Sequence, residues 1–141
     1  MDIVKQLYKD SRPFKPCSLF KGTETFREMM NLFLTPQGIE FCIANDFPSK
    51  GRLRAIKEAG VSEMGIWIDE GVKRAENARI AVLIGNTEGD LYYDTLDYPC
   101  RVVLMKGAKC TIHASGYAVV SVTAQDGCEV VRDVKDKAVV R

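Results

Sequence analysis

The strongest constraint on the fold of this chain is a ten-residue period in its last forty residues. Ala108, Ala118, Cys128 and Ala138 recur at that spacing, and so do Cys110, Val120, Val130 and Val140. A third column holds Ile112, Val122 and Arg132, and a fourth Ala114, Ala124 and Val134, with only Arg132 out of character. Turn-forming groups fall between the rows at a constant phase: Ser115-Gly116, Gln125-Asp126-Gly127 and Lys135-Asp136-Lys137. A strand of about seven residues and a turn of about three, repeated, would place the small and β-branched columns on one inner face. If rows stack at the ~4.8 Å strand spacing, the same side-chain size recurs because each row meets the same opposing surface. That predicts a β-solenoid. The alternative is an antiparallel meander, where three-residue connections are ordinary hairpin loops, but a meander does not require the same small residue in every row.

Upstream, Cys100-Arg101-Val102-Val103-Leu104 fits the same pattern, eight residues before Ala108. Alternating apolar residues mark three further strands, Met64–Ile68, Arg79–Ile84 and Leu91–Tyr93, with breaks expected at Glu70-Gly71, Gly85-Asn86 and Glu88-Gly89-Asp90. Before residue 60 the period is that of helices. Phe26, Met29, Met30, Phe33 and Leu34 make one apolar face, with Thr23 or Thr25 as its cap. Thr35-Pro36 opens a second helix through Ile39, Phe41, Cys42 and Ile43, which Asn45-Asp46-Phe47-Pro48 breaks. Ser49 opens a third through Leu53, Ile56 and Ala59, ended by Gly60. The expected class is α+β: a helical cap over residues 1–60, covering the near end of a solenoid-like stack of about eight short strands over residues 61–141.

Gly116-Tyr117-Ala118-Val119-Val120-Ser121-Val122, Asp126-Gly127-Cys128-Glu129-Val130 and Asp136-Lys137-Ala138-Val139-Val140 resemble the decapeptide repeats, roughly Gly/Asp-x-Ala-x-Val-x-Ala, of small bacterial and phage proteins. The resemblance covers a quarter to a third of the chain. It implies a β-solenoid and a phage or mobile-element setting, and no activity.

Net charge points to no polyanionic partner. Twenty Lys and Arg against nineteen Asp and Glu leave +1, no electrostatic footprint for nucleic acid or an acidic membrane. No window has the ~18 uninterrupted apolar residues of a membrane helix, and the first ten residues lack a signal-peptide core, so a cytoplasmic protein is expected. Cys17, Cys42, Cys100, Cys110 and Cys128 are odd in number, widely spaced and never in a C-x-x-C pair, which points to reduced thiols and to neither a disulfide framework nor a metal site. No cofactor is implied.

Three groups could carry chemistry. His113, the single histidine, falls on the outer face with Thr111 and Ser115, and the ten-residue period stacks it with Thr123 and Asp133. Such a ladder could bind a small ligand, and a His beside an Asp could act as a general base, although a solvated strand face explains the same residues. Asp90, Tyr92 and Asp94 alternate with Leu91 and Tyr93, giving an acidic-aromatic surface suited to a sugar or a cation. Lys50, Arg52, Arg54 and Lys57 follow the break at Asn45–Pro48, where a helix-turn-helix could contact phosphates; Glu40, Asp46 and Glu58 oppose that use.

No nucleophile motif or phosphate-binding loop accompanies these groups. The leading expectation is a non-enzymatic structural or interaction module that self-associates as a homo-oligomer through the strand edge at Val139, Val140 and Arg141. A small-molecule or carbohydrate site on the outer face at His113, Thr123, Asp133, Tyr92 and Asp94 is the second, and nucleic-acid binding by the helical half the third.

Overall fold

The computed structural model of the chain describes residues 2–14 and 18–141, so Cys17 lies outside the described residues. Two compact units, Met1–Ala59 and Gly60–Arg141, make up the chain.

The first unit holds α1 (Ile3–Ser11), α2 (Phe26–Phe33), α3 (Pro36–Asn45) and α4 (Lys50–Ala59). Its helix starts follow the sequence signals closely. Thr25 and Glu28 form a reciprocal capping box, the Thr25 hydroxyl accepting from the Glu28 N–H at 3.2 Å and the Glu28 carboxylate from the Thr25 N–H at 2.9 Å. Thr35 accepts from the Gly38 N–H at 3.1 Å, with Pro36 in the first turn. Asp46, in the left-handed region at φ 49°, ends α3, and Gly60 at φ 87° follows α4. The periodicity did not single out α1, which Asp2 caps by accepting from the Val4 N–H at 2.8 Å. Edge-to-face contacts link Tyr8 to Phe20, Phe20 to Phe33, and Phe14 to Phe41 and Phe47.

The second unit holds β1 (Ile66–Ile68), β2 (Gly71–Glu76), β3 (Ile80–Ile84), β4 (Thr87–Tyr93), β5 (Cys100–Met105), β6 (Lys109–Ala114), β7 (Val119–Ala124), β8 (Glu129–Val134) and β9 (Val139–Val140). Odd-numbered strands form one sheet in the order β1-β3-β5-β7-β9 and even-numbered strands the other, β2-β4-β6-β8. Every pairing is parallel. A meander pairs neighbouring strands antiparallel, so the fold is a β-solenoid of about four turns, each turn giving one strand to each wall.

Three sequence expectations change. A row of ten residues is half a turn rather than a whole one: the residue ten positions on faces the opposite wall, and the residue twenty on stacks above. Cys110 lies over Val130 and Val119 over Val139. The step between stacked partners is sixteen residues at Ile66 and Val82, twenty-one at Val82 and Val103, and twenty at Val102 and Val122, which is why the early turns show no regular repeat in sequence. Second, Gly71, expected within a break, opens β2 (Gly71–Glu76), a strand that the alternation did not mark. Third, Glu88-Gly89-Asp90 is the middle of β4 and not a break. Gly89 points inward, and a Cβ there would collide with the Leu83 side chain; the glycine makes room for a bulky residue from the facing wall.

Small and β-branched residues, with three leucines and the buried Tyr93, fill the space between the walls. Ala81, Leu83, Leu91, Cys100, Val102, Leu104, Ala108, Cys110, Ile112, Ala114, Ala118 and Val120 form one buried cluster, with Cys128 and Ala138 packed partly buried against it. Polar side chains staple the corners between successive turns. Asp69 accepts from the Asn86 N–H at 2.7 Å, Gln125 from the Lys106 N–H at 2.9 Å and Asp136 from the Gly116 N–H at 3.0 Å. Each satisfies a backbone donor that a tight corner leaves without a ladder partner.

Candidate functional site

Parallel register sets the outer face of the four-stranded wall. One column runs Glu76, Tyr92, His113, Asp133 across β2, β4, β6 and β8, and the next runs Arg74, Asp90, Thr111, Val131. Tyr92 and His113 stack with ring centroids 4.5 Å apart and planes 11° from parallel. Arg74 lies over the Tyr92 ring at 4.5 Å from its centroid. These separations approximate the rise from one turn to the next, so parallel pairing by itself produces a cation–ring–ring stack.

His113 bridges two carboxylates. Nε2 is 2.8 Å from Asp90 Oδ1, and Nδ1 is 3.2 Å from Asp133 Oδ2. Carboxylates only accept, so both contacts are hydrogen bonds at once only when the ring carries both protons. The Tyr92 hydroxyl donates to Asp90 Oδ2 at 3.0 Å. Desolvation pushes the Asp90 carboxyl up, but the hydrogen bonds from Tyr92 and His113 and the charges of His113 and Arg74 outweigh it and hold it below its ordinary range. The same hydrogen bond to Asp90, with desolvation adding to it, raises the Tyr92 phenol.

The structure therefore stacks Tyr92, His113 and Asp133 of the five expected residues, sets Asp94 beside them along one cleft, and adds Asp90 and Arg74. Thr123 is not among them: it lies in β7 on the opposite wall, in the column Ile66, Val82, Val103, Thr123. Asp94 stands at the neighbouring corner, where Asn77, at φ 50°, donates to its carboxylate at 2.8 Å and accepts from its N–H at 2.9 Å. A cleft of about 370 Å³ lies along this corner, lined by Glu76, Asn77, Asp94, Ser115 and Lys135 together with the edges of Tyr92, His113 and Asp133. Counting in turns of about twenty residues instead of rows of ten would have put His113 beside Tyr92, but Asp90 reaches it from the neighbouring column, twenty-three residues away, a diagonal contact that no count along the chain marks.

Both nitrogens of His113 face carboxylates, and no serine, threonine or cysteine hydroxyl or thiol is among its hydrogen-bond partners within the described residues. Both faces of Tyr92 are covered, one by His113 and one by Arg74. Among the described residues no three His, Cys, Asp or Glu side chains converge to hold a metal ion, and no helix is long and apolar enough to cross a membrane. In the helical unit, Arg52 is engaged by Asp10 at 2.6 Å and Gln6 at 3.1 Å, which removes one of the four cations expected to face phosphates. No protein family, curated protein or solved structure matches the chain.

Proposed function

We propose that this chain is a non-enzymatic interaction module, a rigid parallel stack whose outer polar wall is its recognition surface. The observation that carries this reading is the closed ladder at His113. Its two nitrogens are committed to Asp90 and Asp133, so the one imidazole available as a general base serves instead to tie three successive turns together. Such scaffolds recognise partners through regular arrays of side chains on stiff elements. The thiols at Cys100, Cys110 and Cys128 form no disulfide and suit a reducing cytoplasm, and the decapeptide resemblance favours a phage or mobile-element setting. The test is turnover of a panel of chromogenic esters, glycosides and phosphate esters by the purified chain and by His113→Ala. Rates at the buffer background for both are expected; turnover lost in His113→Ala would overturn the proposal.

The corner cleft supports a second reading, a site for a small polyhydroxylated ligand. With both faces of Tyr92 occupied, a sugar would be held through its hydroxyls by Glu76, Asn77, Ser115 and Lys135 rather than by ring stacking. Amide chemical-shift titration with mono- and disaccharides would place shifts at residues 76–77, 92–94, 113–115 and 133–135 if the cleft is used, and none there if it is not.

A further inference from the structure

Two cations occupy inner columns of the stack. In the four-stranded wall one inner column runs Lys73, Gly89, Cys110, Val130 and the next Ala75, Leu91, Ile112, Arg132. Lys73 is on the first strand of that wall and Arg132 on the last, while the inner positions of the rungs between carry no charge. No carboxylate stands in either column to pair with them.

The rung that holds Arg132 presents the features of a surface that accepts another strand. Among the described residues, β8 pairs with β6 on one side and β9 with β7 on one side, leaving the opposite edge of each open. Val131, Val134 and Val139 are 59%, 42% and 45% exposed. Unpaired backbone beside exposed valines is a template for a further rung. A second copy of this chain would be the nearest source of such a rung, in parallel or antiparallel sense, and the interior would then continue across the junction.

We infer that Arg132 is a stop residue, a charge held in an inner column that keeps this end of the stack from taking a rung from a second copy. Water reaches Arg132 now, because the residue is exposed. A rung laid over β8 would shut the guanidinium between Ile112 and the newcomer, in an apolar column where desolvation is not offset by a partner. The interior beneath is already dry enough to push the Cys110 thiol up to about 11, against the opposing pull of the nearby Arg132 charge. An inward-pointing charge of this kind is one of the ways strand edges are kept from pairing. Its effect runs against the homo-oligomer expected from Val139, Val140 and Arg141 alone, and it explains the one residue that departs from the apolar column of Ala75, Leu91 and Ile112.

Size-exclusion chromatography with light scattering, from ten to several hundred micromolar, tests the inference on the full chain. Wild type and Arg132→Lys should remain monomeric throughout. Arg132→Ile, which restores the column, should associate at concentrations at least tenfold lower than any at which wild type does. Arg132→Gln removes the charge while keeping a polar tip, and serves if Arg132→Ile fails to give a native circular-dichroism melt; it too should associate. The inference falls if the folded neutral variants stay monomeric across the range, or if wild type associates as readily as they do.

Discussion

Gly65 sits just before β1 at φ 79°, with the Ile80 carbonyl oxygen against the place a Cβ would occupy. Two costs therefore coincide in Gly65→Ala, a left-handed backbone that disfavours a side chain and a collision with backbone that cannot move without disturbing the β1·β3 pairing. The variant should lose about 1–3 kcal/mol in urea denaturation, a range typical of local backbone strain; an unchanged midpoint would contradict this. At the same scale, alternation in the sequence correctly divided Leu91 and Tyr93, both buried, from Asp90, Tyr92 and Asp94. It could not separate a glycine that turns the chain from one that makes room. Gly89 has the composition of a turn on either side, and only the Leu83 side chain across the interior shows why the strand runs through it.

Elements in this fold are held to their neighbours as much by side chains as by backbone. The His113 ladder joins β4, β6 and β8, and Asn77, Asp69, Gln125 and Asp136 do the same at the corners. Asp90 makes the ladder sensitive to acid. Its carboxyl lies below the ordinary range in the folded chain, so the stability it contributes is fully present above the pKa of the unfolded chain, near 4, and is lost as pH falls through the folded value. Between about pH 5 and pH 3, denaturation of wild type should therefore shift to lower urea, and Asp90→Asn should flatten that dependence while weakening the chain at neutral pH. A parallel pH profile for the two would show that the ladder is not coupled to folding. The pairing of His113 with Asp133 was legible because two rows of ten make one turn. The false inclusion of Thr123 has the same origin, since a single row of ten crosses to the other wall.

In the whole stack each turn touches only the turns before and after it, so stability is a sum of nearest-neighbour terms and is highest where a strand is paired on both sides. Hydrogen exchange should follow that order. Amides of β5 and β6, each flanked by two strands, should exchange slowest, and those of β1, β2, β8 and β9, each with one partner, fastest within the unit. Equal protection of β8 and β5 would mean that the open edge is covered by something outside this chain.

By itself the amino-acid sequence determined the two-part α+β plan, the helix starts at Thr35 and Ser49, the one at Thr25 to within two residues, and the alternation that turns small and β-branched residues inward, because each depends on a local spacing that the chain carries wherever it folds. The tertiary structure alone decided that two rows close one turn, that His113 meets Asp90, and that Arg132 belongs to the interior yet stands at its edge. These depend on which wall each strand joins, and that follows from closing the coil in three dimensions, where residues sixteen, twenty-one or twenty positions apart become neighbours.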